Sequence, residues 1–441
     1  MTPQTTSPYP DSVELQGRGK AVSTDGTPGL LDPTGSPIGF GQRMQLLRNR
    51  RGVSREVLAG LLGRSVSWVK QVESGRMQMP KLPLVLAIAE ALRVRDLSEL
   101  TGGAPMDTGL FIGPGHSRLP EVAAAINALP TLARDRQAPS PRHLRARLAA
   151  AWQARHRSPD HREVVGALLP DLIRDAQLAA RQADTSADRR TAQAVLAQVY
   201  ALAQFFVAYQ PDSSLLWRAA ERGMVAAQES EDPHTIGISA WLLAQAHRDS
   251  GESHYDAADA VAREVLDYLE PLLPDADGPV LAIAGALRFE AGYTAARRGN
   301  KGEAWAHWDQ ASRMAERLPD GYYHPVTSFS QAIMGAHATT VAVELHSGGE
   351  SVRQAVRAEA SAIPSRPRRA RHRIEQARAY QLDGQPDVAL ATLEHALAAA
   401  PETIRWNGYA KRIILEECEA VQPARRRRAS ELAVEVGLLT A

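Results

Sequence analysis

The stretch ARAYQLDGQPDVALATLEHALAAAP, residues 377–401, constrains the fold of this 441-residue chain more than any other. In it Ala377, Tyr380, Gly384, Ala389, Leu393, Ala396 and Pro401 follow at spacings of 3, 4, 5, 4, 3 and 5. Steps of three and four keep residues on one helical face. Small residues on two successive helices let their axes approach, Leu393 fills the gap between them, and Gly384 suits the turn. Pro401 breaks the second helix. The same intervals recur at Gly292, Ala295, Gly299, Ala304, Trp308 and Ala311. A third copy has Ala244, His247 and Gly251, with one or two extra residues before its second helix. Segments 191–233 and 329–363 are looser versions, and 141–184 reads as helical without a clear register. A two-helix unit cannot bury its apolar face alone, so such units stack, each on its neighbours. No segment shows sustained strand alternation. The expected fold is therefore all-α, with a helical repeat domain over residues 118–441.

Several function classes find no support. Cys418 is the single cysteine, so neither an internal disulfide nor a thiolate metal cluster can form. His156 and His161 are five apart across a proline, which fits no zinc pattern. The GFG at 39–41 follows no strand and lacks a third glycine, which argues against a dinucleotide loop. P-loop, serine-elbow and Cys–His arrangements are lacking, so neither an enzyme nor a cofactor or metal is expected. Apolar runs such as LPLVLAIAEAL are too short to span a bilayer, and the N-terminus carries no secretory pattern. The expected location is cytoplasmic, with no membrane partner.

Charge divides the chain. Net charge is only +1, yet residues 38–101 hold 11 Lys/Arg against 5 Asp/Glu, a net of +6, which leaves −5 elsewhere. A basic module on a mildly acidic body points to one part that meets a polyanion and another with a different task. Residues 1–37, rich in Thr, Ser, Pro and Gly, read as a flexible arm, and 102–117 as a Gly/Pro linker. The basic runs 366–373 and 425–428 read as solvated helix faces or helix ends.

Within the basic module, AGLLGRSVSWVKQVESG at 59–75 sets several constraints together. Ala59 is small where two helices cross, and Gly63 permits the positive φ of a tight turn. Ser65 caps the following helix, Val69 and Val72 share its buried face, and Gly75 ends it. Upstream, a helix with Met44, Leu47 and Arg48 stops at Gly52, and Ser54 caps the next. Downstream, Pro83 opens a fourth helix, and Leu97 and Leu100 suit a short fifth.

Five helices in this order over residues 39–101 resemble the lambda-repressor-like, xenobiotic-response-element family of helix-turn-helix regulators. In that family an arginine late in the first helix pairs with a glutamate ending the recognition helix, and Arg48 and Glu73 match those types. The resemblance implies that double-stranded DNA is the partner. The outward positions of the recognition helix, Val66, Ser67, Trp68, Lys70 and Gln71, would then face the major groove. Ser67 and Gln71 can bond base edges, while Val66 and Trp68 suit thymine methyls or the sugar–phosphate wall. Arg43, Arg55, Arg64, Arg76 and Lys81 are candidates for phosphate contacts. Arg55 stands where the family often has glutamine, so a base is an alternative target for it.

The helical pairs resemble degenerate tetratricopeptide repeats, and the whole layout is similar to bacterial regulators that join such repeats to a helix-turn-helix. The resemblance implies that the array dimerises, senses a peptide, small molecule or protein, or does both. Its inner surface would carry Trp241, Gln245 and Arg248 in one unit and Phe289, Tyr293 and Arg297 in another. A homodimeric transcription regulator is the expected function. A non-catalytic interaction scaffold is the alternative.

Overall fold

The structure, a computed structural model, describes residues 39–80, 82–92, 94, 97–102, 115–128 and 136–439. The arm expected at 1–37, Lys81 and most of the linker expected at 102–117 lie outside the described residues. Among the described residues the regular elements are all helical. The chain divides into two compact units, one drawn from residues 1–80 and 88–106 and the other from 81–87 and 107–441.

The first unit begins with α1 (Phe40–Arg50), α2 (Arg55–Leu61) and α3 (Val66–Glu73). Helices α4 (Leu82–Ala91), of which residues 88–91 belong to this unit, and α5 (Ser98–Thr101) follow. Ser54 and Ser65 each accept a backbone N–H, from Val57 at 3.2 Å and Trp68 at 3.1 Å, which satisfies an orphan donor at the starts of α2 and α3. Between those helices Gly63 takes φ +61°, a conformation that costs an L side chain about 1–2 kcal/mol. The buried set includes Met44, Leu58, Ala59, Val69, Val72, Leu97 and Leu100.

The second unit opens with α6 (Leu119–Asn127) and continues in pairs of longer helices. These are α7 (Pro141–Arg157) with α8 (His161–Gln182), α9 (Ser186–Val207) with α10 (Ser213–Ser230), and α11 (Pro233–Asp249) with α12 (Tyr255–Leu269). Next come α13 (Gly278–Arg297) with α14 (Lys301–Glu316), α15 (Met334–Glu344) with α16 (Gly348–Arg357), and α17 (Arg366–Leu382) with α18 (Pro386–Ala399). The short α19 (Pro401–Arg405) precedes α20 (Gly408–Glu417) and α21 (Pro423–Glu435). The first helix of each pair packs on the first helix of the next, from α7 through α9, α11, α13 and α15 to α17. The small residues sit at the seams: Ala244, Ala304, Ala311, Ala377, Ala389 and Ala396 are fully buried. The extra residues of the third copy form a 3-10 turn at Glu252–His254.

One feature departs from nearest-neighbour stacking. Helix α7 also packs on α17, five pairs further on. His156 Nδ1 lies 2.9 Å from Ser365 Oγ. The Glu402 carboxylate, at the start of α19, accepts the backbone N–H groups of Arg162 and, at 3.2 Å, of Glu163. His116 Nε2 is 3.3 Å from the same carboxylate. Arg162 is itself tied down, donating to the carbonyls of Phe206 and, at 3.0 Å, Ala208. The array therefore closes on itself through the first turn of α8.

Candidate nucleic-acid interface

Helix α3 has eight residues, and its two faces differ sharply in chemistry. Val69 and Val72 point inward and are at most 1% exposed. Val66, Ser67, Lys70 and Gln71 point outward and are exposed. Positions i, i+1, i+4 and i+5 form one stripe along a helix, and here that stripe is polar except for Val66. Gln71 Nε2 lies 3.4 Å from Ser67 Oγ, so the two polar groups stand side by side. Trp68 is half-buried at the edge of the stripe, with the exposed Arg64 guanidinium 5.9 Å from its ring centroid.

The helix is locked from behind. Glu73 is 2% exposed and holds two arginines. Arg48 donates to it through Nε at 2.5 Å and Nη2 at 3.2 Å, and caps the Val53 carbonyl at 2.8 Å. Arg55 Nε donates at 2.5 Å to Oε2, the oxygen that also takes Arg48 Nη2. One carboxylate thus ties α1 and α2 to the end of α3 through charge-assisted bonds. Gly41 completes the arrangement, because a Cβ there would sit 1.9 Å from the Val72 carbonyl oxygen. Only glycine lets α1 come this close to α3. The GFG at 39–41, set aside as a nucleotide loop, carried that signal.

Two basic candidates are placed otherwise than their sequence suggested. Arg43 is 7% exposed, with its guanidinium against Gly102 rather than open to solvent. Arg55 spends its Nε on Glu73. Arg64 and Arg76 are exposed.

The α2–turn–α3 unit, with its caps, its glycine turn and its outward polar stripe, is a helix-turn-helix in geometry. The sequence comparison agrees. Residues 40–100 match the family model described as a helix-turn-helix domain. No curated protein matches the chain. Among solved structures the chain is similar to Bacillus thuringiensis PlcR, in a crystal structure of that protein in complex with the peptide PapR7 and DNA. The likeness has 12% identity and a TM-score of 0.28, and covers 80% of this chain and 98% of that one. Residues 40–100 are thus similar to a helix-turn-helix family both in sequence and in the build of α2 and α3.

In the second unit, the residues expected on the inner surface lie on α11 and α13, but three of them are sealed. Arg248, Phe289 and Tyr293 are 4%, 6% and 8% exposed. Arg248 pairs with Glu290 and lies 4.0 Å over the Tyr293 ring, while Phe289 stacks on His337 at 3.5 Å. Trp241, Gln245 and Arg297 are half-buried. The pairing continues along the first helices: Arg378 donates to Glu344 and Glu375, each at 2.7 Å, and Arg371 pairs with Glu375 at 2.7 Å. Burial by itself raises Glu344, but Arg378 and Arg297 hold its carboxyl down at about 2. The open pocket expected around Arg248, Phe289 and Tyr293 is instead part of this ladder of buried pairs, in which Arg248–Glu290 and Arg378–Glu344 cross between helices while Arg371–Glu375 and Arg378–Glu375 lie within α17.

The two basic runs lie at the starts of α17 and α21, and several of their arginines are paired or half-buried rather than fully solvated. Arg425 pairs with Glu417 at 3.1 Å and Arg428 with Glu394 at 2.5 Å. Arg368 and Arg371 are half-buried. No helix among the described residues is long and apolar enough to cross a membrane. No group of His, Cys, Asp and Glu among them is arranged to hold a metal ion.

Proposed function

We propose that this chain is a sequence-specific DNA-binding transcription regulator of the xenobiotic-response-element type, acting as a homodimer. The observation that carries the reading is the exposed stripe of α3, held out by the buried Arg48–Glu73–Arg55 lock. A helix of this kind fits the major groove, where Gln71 and Ser67 meet base edges and Val66 meets a thymine methyl. Lys70, Arg64 and Arg76 neutralise phosphates around it, and Trp68 lies against the sugar–phosphate wall. One such helix reads a half-site, so two copies are needed at a spacing of about 34–36 Å. The tetratricopeptide-like pairs supply the dimer contact, the effector site or both, with Trp241, Gln245 and Arg297 on the effector wall. An effector acts by favouring one arrangement of the dimer over another.

Selection of bound duplexes from a random pool tests this. The expected result is a palindromic consensus whose half-sites lie about 10 base pairs apart. Gln71→Ala should then lose about 1–3 kcal/mol of discrimination at one base position. Arg76→Ala should weaken every duplex alike and lower the salt slope by about 1. Failure to enrich any sequence, or the same uniform loss in both variants, removes the groove assignment.

A further inference from the structure

Arg155, in α7, and Arg368, in α17, stand where those two helices meet. The neighbour of Arg155, His156, reaches Ser365, one helical turn before Arg368. The His156 ring is also edge-on to Tyr323 at 6.1 Å, which places the same two helices around that tyrosine. Neither arginine pairs with a carboxylate among the described residues. Arg155 lies over two rings, with Phe205 at 4.3 Å and Trp152 at 5.5 Å from its guanidinium carbon. The Nε of Arg368 is buried without a hydrogen-bond partner, as is Nη1 of Arg371 one turn further on. The acids of the neighbourhood are already engaged. Glu375 holds Arg371 and Arg378, and Glu402 holds the start of α8. Burial pulls Arg155 down to about 10, with Arg162 and Arg368 repelling it further.

Both side chains are half-buried, and neighbouring cations without an anion are unfavourable as they stand, an arrangement that a ligand anion would complete. The planar guanidinium fork matches a carboxylate better than it matches any neutral group. Beside Arg155 runs an aromatic wall, in which Phe205 is T-shaped to Trp152 at 5.4 Å and tilted to Trp241 at 6.2 Å. We propose that Arg155 and Arg368 form a seat for the carboxylate of an effector whose apolar body lies along Phe205 and Trp241. The assignment rests on the repeat domain being the sensor, the second half of the function proposed above. Two sources share this chemistry, a free organic acid and the C-terminal carboxylate of a peptide.

Calorimetric titration of the full chain with 3-phenylpropionate and with N-acetylphenylalanine separates the two sources, with the corresponding amides as neutral controls. At least one acid is expected to bind saturably, and its amide about tenfold more weakly or not at all. Arg155→Met and Arg368→Met keep the apolar stems and relieve like-charge repulsion. They should fold at least as stably and lose about tenfold in affinity for the acid. Equal binding of acid and amide, no saturable binding of either acid, or tighter binding of phenyl phosphate than of both overturns the seat. The acid–amide comparison needs only the unaltered protein, so it stands even if a variant misfolds. A mobility shift on the selected duplex runs in parallel. Intact DNA binding without acid binding fails the seat alone, whereas acid binding without DNA binding upholds the seat and fails the regulator.

Discussion

Glu73 is the residue on which the first unit turns, because a single buried carboxylate answers arginines from two other helices. Removing it leaves Arg48 desolvated and unpaired, so Glu73→Ala should cost about 3–5 kcal/mol. The check is chemical denaturation followed by circular dichroism, and a loss below about 1 kcal/mol would mean that Arg48 finds water instead. Ser65→Ala should cost only about 1 kcal/mol, since it removes one cap bond at an exposed helix start. The Arg48–Glu73 pair was legible from residue types at matching positions. The burial of Arg43 was not. Helical spacing places Arg43 beside Met44 and Leu47 without saying how much of its long side chain the last short helix covers, and Gly102 lies 59 residues further along the chain. The bond from Arg55 to Glu73 was hidden for a related reason. A surface arginine and one that reaches under the surface to a shared acid look the same in sequence.

At the scale of elements, the approach of α1 to α3 depends on the missing side chain at Gly41. Gly41→Ala pushes a methyl into the Val72 carbonyl, and overpacking of this kind costs about 1–3 kcal/mol. It should also weaken DNA binding, because the same backbone carries Lys70 and Gln71. Unchanged melting and unchanged affinity would show that α1 moves aside freely. The helix pairs were most legible where a glycine marks the turn, as at Gly299 and Gly384. They blurred where another residue takes the left-handed conformation. Tyr209 (φ 64°) follows α9, Glu231 (φ 55°) follows α10, and His346 (φ 53°) follows α15. Those turns fall in the segments that read as loose copies. In α7–α8 the register was hidden by Pro170, which sits inside α8 and would ordinarily mark a helix end.

Across the whole molecule, buried neutral histidines set the response to acid. Burial lowers His156 to about 4, helped by Arg155, and lowers His324 to about 3, helped by His234. His372 is held at about 4 by burial and by Arg368 and Arg373. In each case the folded pKa lies below the unfolded one, so the stabilisation is fully present above about 6.5 and fades as pH falls toward 3–4. Each such group loses about 1.4 kcal/mol per pH unit within that window. The melting temperature should therefore drop clearly between pH 7.5 and pH 5, well before Glu344 loses its charge. Equal melting temperatures at the two pH values would show that these rings reach solvent. The all-α class could be read from helical periodicity. The inward turn of the 366–373 run could not, because its opposing helix is α7, more than 200 residues earlier.

That meeting of α7 and α17 changes how the array comes apart. A linear stack can fray from either end, one pair at a time. Here residues 240 apart are joined at Arg162 and Glu402, so peeling inward as far as α8 or α19 breaks the latch. Unfolding of the repeat domain should be one cooperative event, and its assembly slow, since closing so large a loop comes late. During synthesis the first turn of α8 must wait, its amides unanswered, until the ribosome has delivered residue 402.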